Sequence, residues 1–261
     1  MVESKCQNDM LIINADDWGR NRVATDNSMV CFRKGRTTSA SAMVLMKDSQ
    51  RAAELGLEYG LETGLHLNFT LKFDGNIKSS KVIECQQRIA SFLRASKYSF
   101  LLYNPLIRGD FHYVYTTQYE EYVRLYNKMP THIDGHHHSH LCANILVDRL
   151  IPKGSKVRRS FTFSSGEKNL FNRFYRRIVD AILVRRYKCT DFFFSLSILL
   201  RTERLQSIVS LARSRDVEVM VHPERNEEFD CLMSDGYFGV ISLVNTGNYG
   251  LLQQDYRKEE K

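Results

Sequence analysis

What most constrains this chain is an alternation: short apolar runs of β type recur between amphipathic helical stretches, and an acid or an imidazole repeatedly closes the apolar run. Such alternation argues for an α/β fold with parallel strands joined by crossover helices. Residues 10–15 read as a strand buried on both faces that delivers Asp16 and Asp17 at its C-terminal end. Residues 22–34 read as a helix ending at Gly35, 38–45 as a strand, 48–59 as a helix, and 63–69 as a strand carrying His66. Within 72–110 the pattern predicts one helix, 82–96, with loop on either side. Beyond it, 115–127, 141–150, 170–186 and 203–213 read as helices, 131–135 and 217–221 as strands, and 191–195 as extended chain. Acids and imidazoles thus gather at strand C-termini, where open sheets and (β/α) barrels place their chemistry.

No repeat, low-complexity tract or Pro/Gly-rich linker divides the chain, and Pro105, Pro130, Pro152 and Pro223 fall singly in turns, so one domain over 1–261 is expected. The ends, 1–8 and 256–261, are expected to be disordered. Hydrophobic residues at 43% and charged residues at 26% of 261 allow a sizeable core. The first residues lack the basic and apolar regions of a secretory leader, and the apolar run near 192–200 is too short to span a bilayer, so a soluble cytoplasmic protein with no membrane partner is expected. Six cysteines with no C-x-x-C pair suit neither a zinc ribbon nor a disulfide framework and read as reduced thiols.

Adjacent carboxylates after a buried strand are costly unless a cation or a shared proton offsets them. Because neighbours in extended chain point in different directions, one of Asp16 and Asp17 can bind a metal while the other faces water or substrate. Equally, the pair could cap the next helix or form an Asx turn. His66, flanked by leucines, reads as a ligand or as a structural core histidine. Five of the eight histidines fall within nine positions, His132, His136, His137, His138 and His140, next to a β-branched strand. Imidazole is a common ligand for transition metals, and a carboxylate such as Asp134 can fix its tautomer; a surface patch with incidental metal affinity is the plainer alternative. His222 closes a late strand and could serve as a general acid or be structural. Together, one carboxylate and two imidazoles on a divalent ion would leave positions open for water and substrate.

These residues resemble the YdjC-like carbohydrate deacetylases, distant relatives of the NodB-type polysaccharide deacetylases. The resemblance rests on L-I-I-N-A-D-D-W-G from Leu11, T-T-S-A-S from Thr37, G-L-H-L from Gly64, T-H-I-D-G-H-H-H-S-H from Thr131 and V-M-V-H-P from Val219, in the family's order. It implies a (β/α) barrel-like fold, a distorted or incomplete TIM-type barrel, and hydrolysis of the linear amide bond of N-acetyl groups on amino sugars such as chitooligosaccharides. It further implies one divalent metal ion, Mg²⁺, Zn²⁺ or Mn²⁺, on Asp17, His66 and His136, with Asp16 as general base and His222 as the acid that protonates the leaving amine. Asp134, Asn68, His137 and His138, with His140, would shape the pocket or support the ligands. Trp18 stands where the family usually has Phe, Gly135 where it has Ser, and Glu224 where it has Gly, and residues 231–261 do not match the family's closing strand and helix.

Charge supplies the rival readings. Residues 151–190 hold eleven Lys or Arg against two acids, a local excess of +9 in a chain of net +7. That excess suits a metal-dependent phosphoesterase or nuclease, or a non-catalytic RNA-binding protein using Arg158, Arg159, Arg173, Arg176, Arg177, Arg185 and Arg186 with interleaved Phe171, Phe174, Tyr175 and Tyr187. A solvated helix is the plainer account, and nucleic acid is not the expected partner. The segment could also meet an acidic or phosphorylated sugar, or the second subunit of a homodimer.

Overall fold

Strand β1 (Leu11–Trp18) is buried along its whole length, and the other strands are placed by it. The computed structural model describes residues 9–77, 79–96, 98–162 and 170–252, the side chains of 170–175 aside. The expected disordered ends, Cys6, Lys168 and the side chains of Phe171, Arg173, Phe174 and Tyr175 lie outside the described residues. After β1 come α1 (Arg22–Arg33), β2 (Ser39–Ala42), α2 (Ser49–Glu58), β3 (Thr63–Leu67), α3 (Ser80–Arg94), α4 (Arg108–Tyr126), β4 (Ile133–Gly135), α5 (Ala143–Val147) and α6 (Leu170–Arg186). The chain continues through β5 (Phe192–Ser195), α7 (Leu196–Arg201), α8 (Leu205–Leu211), β6 (Val217–Val221), α9 (Asn226–Met233), α10 (Asp235–Ile241) and β7 (Thr246–Gly247).

The strands form a curled, parallel sheet in the order β4-β3-β2-β1-β6-β5, with β7 paired to the start of β1 at Leu11 and Ile12. Between the two edge strands runs the stretch 155–162. Val157 bridges to Ile133 of β4, Lys156 bridges to Lys188, and the Thr162 N–H donates to the Phe193 carbonyl of β5. The result is the distorted (β/α) barrel that the family resemblance implies.

The period of two along β1 separates two environments. Leu11, Ile13 and Ala15 join the large core between sheet and helices, whereas Ile12 joins Met10, Tyr249 and Leu252 in a small separate cluster. Asn14 and Asp16 share the side of Ile12, so β1 turns its polar residues into the barrel interior above that level. Small residues make this interior habitable. β2 is Ser-Ala-Ser-Ala, and at Gly64 of β3 an added Cβ would come within 2.4 Å of the His132 ring.

Several elements differ from expectation, chiefly in length. β2 stops after four residues and β4 spans three, because the chain leaves the sheet where the site begins. α4 starts at Arg108, earlier than the apolar pattern predicts, following the turn in which the Asn104 side chain accepts from the Leu106 N–H. The apolar residues after β5, to which the pattern assigned no element, form α7. Of the unmatched tail, residues 231–252 form the end of α9, α10 and β7, and return Tyr249 to the interior. No disulfide joins the cysteines among the described residues, Cys31, Cys85, Cys142, Cys189 and Cys231. No helix among them is long and apolar enough to cross a membrane.

Candidate active site

The barrel's C-terminal rim receives Asp16 and Asp17 from β1, His66 from β3, Asp134 from β4 and His136 just beyond it. The two aspartates do not diverge as extended chain predicts. Pairing with β2 advances from Ala15–Ala40 to Trp18–Ala42, so β1 bulges at Asp16–Asp17, and Asp17 adopts a left-handed φ of 62°. Both carboxylates therefore meet one imidazole: His66 Nε2 lies 3.4 Å from Asp17 Oδ1 and 3.9 Å from Asp16 Oδ2. His136 Nδ1 lies 2.9 Å from the same Asp17 Oδ1.

Asp134 Oδ1 faces His66 Nδ1 at 2.8 Å. In the neutral ring this holds the proton on Nδ1 and aims the Nε2 lone pair at Asp17. Burial alone would lower the His66 pKa, but Asp134, then Asp16 and Asp17, outweigh it and raise it to about 10. Conversely, Asp17 is held well below the usual carboxylate range: burial pushes it up, and the bonds to His136 and His66 more than reverse this. The site is thus a sink for positive charge. One oxygen and two nitrogen ligand atoms of Asp17, His66 and His136 lie within 4.8 Å of one another, a hard and borderline donor set that fits a divalent cation. A second set, Asp16, His66 and Asp134, shares His66, and its carboxylates are committed elsewhere.

That commitment is to Arg158. Placed by sequence among the solvated cations of the basic segment, it is fully buried. Its NH1 and NH2 hold Asp16 Oδ2 and Oδ1 at 2.7 and 2.6 Å, its NH1 also meets Asp134 Oδ2 at 2.6 Å, and its Nε donates to Glu218 Oε1 at 2.9 Å. A planar guanidinium matches this arrangement because its donors are fixed in one fork. Burial would push Asp134 up, but Arg158 and then His66 hold it well below its ordinary value. Asn14 donates to Asp16 Oδ1 at 3.0 Å and to Ser41 Oγ at 2.7 Å, and Ser41 donates to Asp134 Oδ2 at 2.8 Å. Other cations of the segment also serve the fold. Arg159 pairs with Asp180 at 3.2 Å, and Lys156 donates to the Tyr249 and Gly250 carbonyls. Arg158, Arg159 and Lys156 are thereby turned to contacts within the fold.

Of the five clustered histidines, only His136 is brought to Asp17. His137 and His138 have φ of 53° and 57°, a left-handed step that leaves the His137 ring against His136, centroids 4.1 Å apart, and turns His138 elsewhere. His137 Nδ1 stands 3.1 Å from Thr70 Oγ1, and the His138 ring lies 4.5 Å from that of Phe161. His140 is buried, with Nε2 3.1 Å from the Arg158 carbonyl, and burial lowers its pKa to about 4. His132 points into the interior beneath, where burial lowers it to about 3 and Nε2 lies 3.0 Å from Ser41 Oγ. The missing side chain of Gly135 is explained by crowding: a Cβ there would stand 3.0 Å from Ser139 Oγ.

Beyond the last registered pair, Ala15–Val221, the next residues are Asp16 and His222. The His222 N–H donates to Glu228 Oε2 at 2.7 Å, and its Nδ1 lies 3.6 Å from Glu228 Oε1. The Asn68 amide oxygen accepts from the Thr70 and Leu71 N–H groups and its nitrogen donates to the Leu71 carbonyl, so the side chain holds the loop after β3. Three functional candidates escaped sequence reasoning. Arg158 was hidden in a charge run; Glu218, a lone acid inside an apolar strand, was a legible signal passed over. Arg20, which bridges Asp17 at 2.8 Å and Glu224 at 3.0 Å, shows no pattern in sequence, but it explains the acid after His-Pro.

A family model described as YdjC-like protein matches residues 10–242. The chain belongs to the YdjC-like family. Among curated relatives, this YdjC-like chain is similar to chitooligosaccharide deacetylases of Proteus mirabilis strain HI4320 (29% identical over 136 residues) and Yersinia enterocolitica serotype O:8 (27% over 137), each match covering 52% of both chains. The chain spans about half the length of the curated relatives it matches. Among solved structures, an Enterococcus faecalis V583 protein named for cellobiose-phosphate cleavage superposes with a TM-score of 0.65 at 16% identity, over 93% of this chain and 98% of that one. That likeness concerns the fold.

Proposed function

We propose that this YdjC-like chain is a carbohydrate deacetylase that hydrolyses the N-acetyl group of an amino sugar or chitooligosaccharide, with one divalent cation, Mg²⁺, Zn²⁺ or Mn²⁺, held by Asp17, His66 and His136. The observation that carries this is the convergence of His66 and His136 on one oxygen of Asp17, at 3.4 and 2.9 Å, beside a second carboxylate already gripped by Arg158. When bound, such a cation acts as a Lewis acid, polarising the amide carbonyl and acidifying a water. Asp16 accepts that water's proton at an oxygen lone pair not taken by Arg158 or Asn14, since a carboxylate offers about four acceptor sites. Arg158 keeps the carboxylate from rotating, and Asp134 keeps the His66 ring in one orientation. His222, one step past the β1–β6 register beside Asp16, delivers a proton to the departing amine, and Glu228 anchors its backbone.

The test is acetate release from N-acetylated chitooligosaccharides by the full chain supplied with each cation in turn. Asp16→Asn is expected to lower turnover by about 10²–10⁴-fold, the usual contribution of a general base, with bound metal unchanged. Asp17→Asn or His136→Ala is expected to lose the metal. Absence of acetate with all three cations, or normal turnover in Asp16→Asn, refutes the proposal; release of phosphate or nicked nucleic acid instead would favour a phosphoesterase.

A further inference from the structure

Beneath the rim lies a second polar assembly with no part in the chemistry above. Glu218 is the second residue of β6, with no exposure, in register with Ile12 of β1 and Phe193 of β5. One of its oxygens accepts from Arg158 Nε, and the other accepts from the Tyr249 hydroxyl. Tyr249 arrives from the tail. β7 pairs with the start of β1, the carbonyls of Tyr249 and Gly250 accept from Lys156 Nζ, and the tyrosine ring stacks on His132 with centroids 3.9 Å apart and planes 14° apart. Residue 249 also lies beyond the stretch matched by the family model.

The assembly reaches the rim by two routes, both starting at Tyr249. One runs through Glu218 to Arg158 and so to Asp16. The other runs through the stacked His132 to Ser41 and so to Asp134. The first has a specific mechanical consequence. An arginine gripped only at its terminal nitrogens can still turn about the bonds of its stem, carrying its fork with it. Anchoring Nε as well fixes the plane, and with it the direction in which NH1 and NH2 present themselves to Asp16.

We propose that Glu218 and Tyr249 are positioning residues that set the orientation of Asp16 by locking the Arg158 guanidinium from below, so that the C-terminal tail acts as the floor of the active site. This rests on Asp16 being the proton acceptor. Glu218→Leu removes both hydrogen bonds at similar bulk. Glu218→Gln keeps both, its carbonyl accepting from Arg158 Nε and its amide donating to the Tyr249 hydroxyl. Tyr249→Phe keeps the stack on His132 and deletes only the hydroxyl.

Metal-supported acetate release should fall about 10–100-fold in kcat for Glu218→Leu with KM unchanged, recover most of the way in Glu218→Gln, and be intermediate in Tyr249→Phe. Wild-type kcat in Glu218→Leu, or equal losses in the Leu and Gln variants, overturns the proposal. The crystal structure of Glu218→Leu decides the same point without turnover: a displaced Arg158 supports it, and an unaltered bidentate grip on Asp16 overturns it. A wild-type chain that releases no acetate sinks the deacetylase reading alone and leaves the crystallographic test standing.

Discussion

Replacing Arg158 by Met separates a buried structural cation from a solvated one by a wide margin. Three carboxylates, Asp16, Asp134 and Glu218, share this guanidinium, and none is exposed by more than 3%. Breaking one buried ion pair by removing a partner typically costs about 3–5 kcal/mol, because an uncompensated charge is left inside. Taken as a floor here, and at about 2–4 °C per kcal/mol for a chain of this size, the expected fall in Tm is about 6–20 °C or more. Thermal unfolding followed by circular dichroism at matched ionic strength measures it. The pH dependence has a definite sign. Arg158 and His66 hold Asp134 well below its ordinary value of 3.8, so its stabilising contribution is present above that pH and is lost as pH falls through the depressed value. The share of the gap between wild type and variant that Asp134 carries should therefore be open above about pH 4 and close below it. Arg158→Lys should recover only part of the loss, since one ammonium cannot span three carboxylates. A change within about 0.5 kcal/mol, as surface substitutions give, would return Arg158 to the solvated face where charge counting puts it.

Gly64→Ala should lower stability by about 1–3 kcal/mol, the usual cost of overpacking, because the new methyl would meet the His132 ring; an unshifted Tm would mean that the ring moves freely. Burial pushes the Glu218 carboxyl up to about 7 against the pull of Arg158 and Tyr249, so its contribution to stability is present below about pH 4.5 and lost as pH rises through 7. The Tm of Glu218→Gln relative to wild type should climb across that window, and a constant difference would refute the assignment. Because Asp134, Asp16 and Asp17 hold a proton on His66, cation binding should release it, and affinity should rise by up to about tenfold per pH unit near neutrality. Calorimetric titration of the metal alone in buffers of different ionisation enthalpy reads this directly, and no released proton would remove His66 Nε2 from the ligand set.

Much of this was legible because local pattern carries it. The boundaries of α6 and β6 and the order of strands and helices follow from hydrophobic period, and the positions of Asp16, Asp17, His66 and His136 at strand ends follow from the same reading. What escaped depends on neighbours distant in the chain. Asp16 and Arg158 are separated by 142 positions, and Glu218 and its partner Tyr249 by 31. The loop N–H groups of Thr70 and Leu71 that Asn68 satisfies are likewise invisible to a reading of local pattern.

Sequence by itself determined the alternating architecture, the family and the chemical types gathered at the rim, since these rest on periodicity and short motifs. Only the tertiary structure decided which charges face water and which face one another. A bulge at Asp17 turned two carboxylates onto one imidazole, and closing the barrel drew a cation out of a basic run into the interior. Pairing energy in a water-poor core depends on distance and geometry across the sheet, and neither is written along the chain.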